Sequence, residues 1–266
     1  MALSVTILGA RGSVPVSGAQ FSRYGGATTC ALFEADGDAV VLDAGSGLLF
    51  LPPEAMERPS LPLLLSHPHA DHLLGLPMCP YVMLPGRRLD VYAAERGGLD
   101  ARAQAGRLLS PPLWPVGTEA LPAEIRFHAL PRALRLGAVG VDVLEGEHPG
   151  GVSVFRLEAD GKSVVFATDV TLGEAFAARL AAFARDCDLL LCDGQYTDEE
   201  WARFPGFGHS SWNAAANLAR ECGAKRLRII HHAPFRTDGE LDAAAAALRE
   251  TDPNFDFARE GERISL

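Results

Sequence analysis

The sequence has few cysteines, and their spacing indicates no disulfide framework or thiolate metal site. The five cysteines are an odd number, and no C-x-x-C pair occurs among Cys30, Cys79, Cys187, Cys192 and Cys222. Most of them lie in apolar or strand-like surroundings, where a free thiol packs as a small hydrophobic side chain. This usage favours a protein of the reducing cytoplasm.

Long apolar runs and basic patches are also scarce. No stretch of about 18 apolar residues occurs, so no transmembrane helix and no membrane partner are expected. The N-terminus MALSVTILGARG lacks the basic region and the cleavage site of a signal peptide. Acidic residues outnumber basic ones by 34 to 24, which gives a formal net charge of -10. A large polyanionic partner is therefore disfavoured, because nucleic-acid-binding proteins usually carry a basic face.

The chain shows no linker and no low-complexity segment, so we expect residues 1–266 to form a single domain. Short apolar or β-branched runs bounded by Gly, Asp or Pro predict strands up to Asp169. After that residue, segments with helical periodicity alternate with strands, and Thr237 with Glu240 has the spacing of a capping box. This order predicts an α/β protein, a four-layer αββα sandwich of two mixed β-sheets flanked by helices.

Three of the eight histidines fall in one short segment, SHPHADH at residues 66–72, directly after the apolar run LPLLL. In an extended segment His67 and His69 point the same way and can bind one metal ion, while Asp71 and His72 lie further on and can bind a second. Imidazole and carboxylate groups suit Zn²⁺ and similar metals. Two ions about 3.5–4 Å apart form a hydrolytic centre. We expect a helix to begin within residues 71–76.

The same segment matches H-x-H-x-D-H and so resembles the signature of the metallo-β-lactamase superfamily. The segments EHPGG, VVFATD and LRIIHH follow in the order that the superfamily has them. The resemblance implies the metallo-β-lactamase fold and two divalent metal ions, taken here as Zn²⁺ with Mn²⁺ and Fe²⁺ as alternatives. It implies one ion bound by His67, His69 and His148, a second bound by Asp71, His72 and His231, and Asp169 bridging both.

Two further histidines leave alternatives open. His231 and His232 point to opposite sides of an extended strand, so only one of them can be a ligand. The position after LRII in the superfamily favours His231, and His232 then either lines the pocket or packs in the core. His128, within the predicted strand RFHAL, is expected to be structural.

Two segments resemble the branch that contains ribonuclease Z and bacterial phosphodiesterase-like proteins: GARGSVPVSGAQFSRYGGATTC and FGHSSW. The resemblance implies a role near the leaving group for His209, which precedes a helix predicted to start at Ser210 or Ser211, a favourable place for an anion. Asp193 is a candidate hydrogen-bond partner of His209. Three side chains of the first segment either contact a phosphate or hold the loop together: Arg11, Arg23 and Tyr24.

These features predict a dinuclear-metal hydrolase, a phosphodiesterase for a small phosphodiester or cyclic nucleotide, with Asp71 as base and His209 as proton donor. The alternatives are a metallohydrolase of carboxyl esters, lactones or thioesters, a nuclease of short RNA or DNA ends, and a non-catalytic metal-binding sensor. Transfer RNA is disfavoured because the segment between Asp169 and His209 contains no Gly-rich basic arm. The resemblance also implies a homodimer.

Overall fold

Two packed β-sheets form the centre of the computed structural model, which describes residues 3–266. Within that range each sheet has seven strands. The first sheet contains β1 (Ser4–Gly9), β2 (Cys30–Ala35), β3 (Asp38–Leu42), β4 (Ser60–Leu65), β5 (Arg88–Ala93), β6 (Glu124–Ala129) and the last strand of the chain, β14 (Arg263–Ser265). The second contains β7 (Ala133–Leu136), β8 (Val139–Gly146), β9 (Val152–Ala159), β10 (Lys162–Ala167), β11 (Leu189–Asp193), β12 (Leu227–Ile230) and β13 (Phe255–Phe257).

Both sheets are mixed, and they have the same design. The spatial order is β14-β1-β2-β3-β4-β5-β6 in the first and β13-β12-β11-β10-β9-β8-β7 in the second. Strands β3 to β6 run parallel in the first sheet, and β10 to β13 run parallel in the second. The remaining neighbours are antiparallel.

Helices cover the outer faces of the two sheets. The α-helices are α1 (Pro53–Met56), α2 (Ala101–Leu108), α3 (Glu174–Phe183), α4 (Asp198–Arg203), α5 (Trp212–Cys222) and α6 (Asp238–Thr251). Short 3₁₀ turns cover Ala19–Phe21, Ser46–Phe50, Ala70–His72, Leu76–Met78, Pro80–Met83 and Thr118–Ala120. No helix within residues 3–266 is long and apolar enough to cross a membrane.

Strand β11 shows why the central strands are apolar without interruption. Leu189 and Leu191 pack in the layer between the sheets, whereas Leu190 and Cys192 pack against α3 and α5 on the other face. A parallel strand covered on both faces needs apolar residues at every position. The predicted four-layer αββα sandwich is thus confirmed, while the single domain over residues 1–266 stays a prediction.

Local predictions hold where short-range chemistry decides the conformation. The tight turn predicted between β9 and β10 has positive φ at Asp160 and Gly161, 50° and 71°, as a two-residue hairpin requires. Thr237 and Glu240 form the predicted capping box at the start of α6. Ser211 caps α5 by accepting a hydrogen bond from the backbone N–H of Ala214.

The α-helix expected to begin within residues 71–76 does not form. Two separate 3₁₀ turns, Ala70–His72 and Leu76–Met78, lie there instead. Local hydrogen bonds such as that from the N–H of Leu73 to Ala70 O close only short turns, and the backbone there also bonds to the chain that follows β3. The N–H of Ala44 donates to His72 O, and the N–H of Gly75 donates to Ala44 O, each at 2.9 Å. These tertiary hydrogen bonds replace the helical ones. The short strands β7, β13 and β14 were also not predicted from the sequence, because three or four residues show too little periodicity.

Candidate metal centre

The seven predicted ligand side chains converge where the strands end. His67, His69, Asp71 and His72 follow β4, Asp169 follows β10, His231 follows β12, and His148 lies in the turn between β8 and β9. We call His67, His69 and His148 the outer group, and Asp71, His72 and His231 the inner group. Within each group, taken with Asp169, one ligand atom from each residue lies within 4.8 Å of the others. The carboxyl ends of parallel strands are where sites gather in α/β proteins.

The two oxygens of Asp169 face different groups. Oδ2 lies 3.7 Å from His67 Nε2 and 3.9 Å from His148 Nε2. Oδ1 lies 3.2 Å from both His72 Nε2 and His231 Nε2. A carboxylate placed in this way can bridge two ions, one in each group.

The outer group consists of imidazoles in the form that binds metals. His148 Nδ1 donates to the carbonyl of Gly208 at 2.8 Å, so its Nε2 carries the lone pair. Nε2 of His148 and Nε2 of His67 lie 3.1 Å and 2.9 Å from His69 Nδ1. Burial lowers the pKa of all three histidines. Neutral imidazoles are what a divalent cation requires.

The inner group is held by side chains and backbone around it. His72 Nδ1 donates to Asp43 Oδ2 at 2.7 Å, which leaves Nε2 directed at the group. Asp71 Oδ2 accepts a hydrogen bond from the N–H of Ser13 at 2.8 Å and lies 3.1 Å from His231 Nε2. Such partners behind a ligand set its tautomer and orientation.

The inner group attracts positive charge. Burial alone lowers the pKa of His72, but the carboxylates of Asp169, Asp71 and Asp43 outweigh burial and hold it well above its ordinary value. Burial raises the pKa of Asp71, but His72 and His231 hold that pKa far below its ordinary value. Ionised carboxylates in a buried space need cations close by.

An unpaired atom shows that the residues fit a metal. His72 Nε2 is buried and has no hydrogen-bond partner among residues 3–266, although it lies 3.3 Å from Asp71 Oδ2 and 3.2 Å from Asp169 Oδ1. A buried polar atom without a partner costs about 1–3 kcal/mol. A divalent ion between these atoms would satisfy the nitrogen and the carboxylates together, so the donor set suits a pair of divalent ions.

The backbone turns sharply where strands deliver these side chains. Asp43, Asp169 and His231 have φ of 59°, 52° and 62°, in the left-handed region. Each such conformation costs on the order of 1–3 kcal/mol outside glycine and tends to persist at functional sites. A Cβ on Gly12 would lie 2.2 Å from His231 Nδ1, so the close approach beside this histidine requires glycine.

His209 lies against both groups. Its ring stacks on His231 with centroids 4.7 Å apart and lies 5.5 Å from the ring of His148. Its Nδ1 donates to Asp193 Oδ2 at 2.8 Å, the contact proposed from the sequence. Burial lowers the pKa of His209, but Asp193 and Asp169 outweigh burial and raise the pKa to about 9. With Nδ1 engaged, Nε2 is the nitrogen free to donate a proton.

Asp43 is the residue near the centre that the sequence reasoning missed. It binds His72, and it also accepts from the N–H and the hydroxyl of Ser66 at 2.7 Å and 2.8 Å. A signal was present in the sequence, since VVLD, VVFATD and LLLCD each end an apolar run with an aspartate. Asp43, Asp169 and Asp193 all lie at or just after the ends of strands, β3, β10 and β11.

The remaining candidates have structural roles. His232 is buried and donates from Nε2 to the carbonyl of Ala258 at 2.8 Å, and burial lowers its pKa to about 3. His128 bonds to Asp90 at 2.9 Å. Of the alternatives for the first segment, the structure favours loop support. Arg11 donates to the carbonyls of Gly25, Ala233 and Arg236. Arg23 pairs with Asp238 and Asp242, and the Tyr24 hydroxyl donates to Asp242.

A small cavity of about 200 Å³ opens beside the outer group. Pro68, Arg96 and Pro149 line it together with His67 and His69. A groove of about 1230 Å³ lies elsewhere and is lined by none of the seven ligand candidates. Several of its charged side chains pair with each other, as Lys162 and Lys225 do with Asp188. The small cavity, which two of the candidate ligands line, is therefore the better candidate for substrate access.

Residues 39–232 match the family described as Beta-lactamase superfamily domain. Ribonuclease Z of Halobacterium salinarum is 27% identical over 286 residues, a match that covers 87% of each chain. In fold, the chain resembles the metallo-beta-lactamase fold protein YhfI from Bacillus subtilis, with a TM-score of 0.74, 20% identity and 100% of each chain covered. It also resembles a diphosphatase from the PhnP family, with a TM-score of 0.69, 19% identity and 100% of this chain and 98% of that one covered. The chain therefore belongs to the metallo-β-lactamase superfamily, as a hydrolase of its ribonuclease Z-like branch.

Proposed function

We propose that this protein is a dinuclear-metal phosphodiesterase that cleaves a small phosphodiester, such as a cyclic nucleotide. The observation that carries the proposal is the placement of Asp169, whose two oxygens face the two groups of candidate ligands. We assign one divalent ion to the outer group and one to the inner group, with Asp169 between them. Zn²⁺ is the expected metal, and Mn²⁺ and Fe²⁺ are the alternatives.

Phosphate chemistry is supported by the relatives. The chain matches a ribonuclease over 87% of its length, and it has the fold of a diphosphatase. Both names describe enzymes that cleave bonds to phosphorus. The same metals would also serve an acyl ester, so carboxyl-ester hydrolysis is the competing outcome of the experiment below.

Bound divalent ions would supply a polarised phosphoryl oxygen and a water of lowered pKa. The side chains of the protein do the rest. Asp71, whose pKa lies far below its ordinary value, accepts a hydrogen bond from the attacking water and orients it. His209 carries a proton at neutral pH, is held at Nδ1 by Asp193, and donates from Nε2 to the leaving oxygen.

Charge favours a small substrate over transfer RNA. The formal net charge is -10, and the first turn of α4, in the segment that leads to His209, carries Asp198, Glu199 and Glu200. The described chain between Asp169 and His209 is occupied by α3, β11 and α4. An acidic surface next to the centre repels the many phosphates of a long RNA.

The test combines metal analysis with two chromogenic substrates. We expect purified protein to contain two divalent ions per chain and to hydrolyse bis(p-nitrophenyl) phosphate faster than p-nitrophenyl acetate. A cyclic nucleotide panel then identifies the natural class. Faster acetate hydrolysis would favour the carboxyl-ester enzyme, and full metal occupancy without turnover of either substrate would favour a metal-binding sensor.

Two statements about the cellular form belong to the same proposal. All five cysteines are free and buried, which suits the reducing cytoplasm. A homodimer is proposed by resemblance only, and light scattering of the purified protein tests it.

A further inference from the structure

A row of aromatic rings leads outward from His209. Tyr196 meets the His209 ring edge-on at 5.8 Å between centroids, Phe204 lies 5.6 Å from Tyr196, and Phe207 lies 5.6 Å from Phe204. Exposure rises along the row, from 5% for Tyr196 to 41% for Phe204 and 62% for Phe207. We call these three side chains the aromatic wall.

The backbone ties the aromatic wall to the rim of the metal centre. The carbonyl of Gly208 accepts the hydrogen bond from His148, and a Cβ on Gly208 would lie 2.2 Å from that ring. Phe207 is the residue before this contact, and His209 is the residue after it. Gly206 and Gly208 have φ of 82° and 90°, so the tight path of the segment depends on glycine. At the other end, the N–H of Tyr196 donates to Ser210 O at 3.2 Å.

Phe204 and Phe207 present two exposed rings side by side, next to the histidine that lies against the metal centre. Helix α4, which connects Tyr196 to Phe204, begins with three acidic residues, Asp198, Glu199 and Glu200. Aromatic side chains hold flat rings by stacking, and a nucleobase on such a ring typically binds roughly tenfold tighter or more. The acidic turn behind the rings disfavours additional phosphates. The surroundings therefore suit one planar ring linked to one phosphate group.

We propose that Tyr196, Phe204 and Phe207 form a specificity subsite that stacks the base of a mononucleotide-sized substrate while its phosphate lies at the metal centre. This inference rests on the proposed function and adds the identity of the group attached to the phosphate. Phe207 and Phe204 are the residues that contact the base. Tyr196 supports Phe204 and joins the subsite to His209.

The test compares two phosphate ligands that differ only by the base. Adenosine 5′-monophosphate and ribose 5-phosphate are titrated calorimetrically into the metal-loaded wild-type protein and its variants. We expect the wild type to bind the nucleotide about tenfold more tightly or better. Phe207→Ala and Phe204→Leu should bring the two dissociation constants close together while leaving that of ribose 5-phosphate unchanged.

Phe50→Ala is the matched control. This phenylalanine is 55% exposed but lies on the crossover between β3 and β4 in the first sheet. The control should keep the wild-type ratio of dissociation constants. Thermal melting of each variant verifies folding. Leucine is used at position 204 because it retains an apolar contact with Tyr196, so this variant still tests the subsite if Phe207→Ala is less stable.

Several results would overturn the subsite. Equal affinities in the wild type would do so, as would a ratio that both phenylalanine variants leave intact. Conversion of a wild-type dimer to monomer by Phe207→Ala would show that the wall covers a second copy of the chain instead. Because the readout is binding, an absence of phosphodiester hydrolysis would defeat the proposed function without touching this result.

Discussion

The outer and inner groups of the metal centre use similar side chains in different environments. Every member of the inner group is buried, whereas the outer group combines the buried side chains of His67 and His148 with the exposed His69. The outer group contains only imidazoles, and burial together with the neighbouring histidines lowers the pKa of each. The inner group adds Asp71 and is supported by Asp43, so its net negative charge is enclosed in the protein.

The difference indicates a division of labour between the groups. Enclosed carboxylates are costly without a cation, so the inner group depends on its ion and its histidines for stability. Neutral imidazoles enclose no charge, so we expect the outer ion to matter less for stability than the inner ion. The outer group is also the one that a small cavity adjoins.

Replacing the ligand that the two groups share should affect both metal ions and have the largest effect of all. Asp169→Ala removes the carboxylate whose two oxygens face the two groups, so we expect loss of bound metal and a fall in kcat/KM of at least about 10³-fold, since metal-ion stabilisation is worth several kcal/mol. Asp160→Ala is the control, because Asp160 has a similar left-handed backbone in the β9–β10 hairpin. Near-normal turnover by the Asp169 variant would contradict the dinuclear assignment.

Replacing one histidine in each group by alanine should change the free energy of unfolding by different amounts. In metal-free protein His72→Ala leaves buried carboxylates without their imidazole, and we expect it to lower the free energy of unfolding by about 3–5 kcal/mol. His69→Ala alters an exposed side chain and should cost less than about 1 kcal/mol. Both should lose hydrolytic activity. Urea unfolding after chelation measures the difference, and equal destabilisation would show that the two environments do not differ as described.

Changing the support behind one ligand should affect one ion only. Asp43→Asn keeps an acceptor for His72 but removes the charge, and we expect the inner ion to bind about 10–100-fold more weakly with the outer ion unaffected. Asp38→Asn, at the other end of β3, is the control, since Asp38 bonds to the N–H of Ala138 away from the centre. Stepwise metal titration by calorimetry distinguishes the two ions. A parallel loss of both affinities would count against separate groups.

Two glycine changes provide the mildest probes, one for each group. Gly12→Ala places a methyl against His231, and Gly208→Ala places one against His148, each 2.2 Å from a ring nitrogen. Overpacking of this kind typically costs about 1–3 kcal/mol, so we expect each to weaken its own ion about tenfold or more. Gly106→Ala, in α2 with open space around it, is the control. The experiment fails if both variants weaken the same ion.

The local ligands were predictable because four of them lie within one short segment, and an extended chain already places His67 and His69 on one side. The layer architecture was predictable because strands buried on both faces are apolar throughout, as in β11. Asp43 was missed because a single aspartate after a strand has many ordinary uses. The helix expected after Asp71 was wrong because Ala44 engages His72 O and the N–H of Gly75, which a continuous helix would use internally.

The sequence by itself determined which kinds of side chain could hold metal ions, since histidine is rare in this chain and its clustering leaves few other uses. It also determined the alternation that makes two sheets with helices outside. Only the tertiary structure decided that His231 enters the centre while His232 enters the core, because a left-handed turn at a strand end directs adjacent side chains to different places. It also showed the two oxygens of Asp169 facing different groups and the ring contacts that join His209 to Tyr196 and Phe204, because such contacts depend on how separate segments pack.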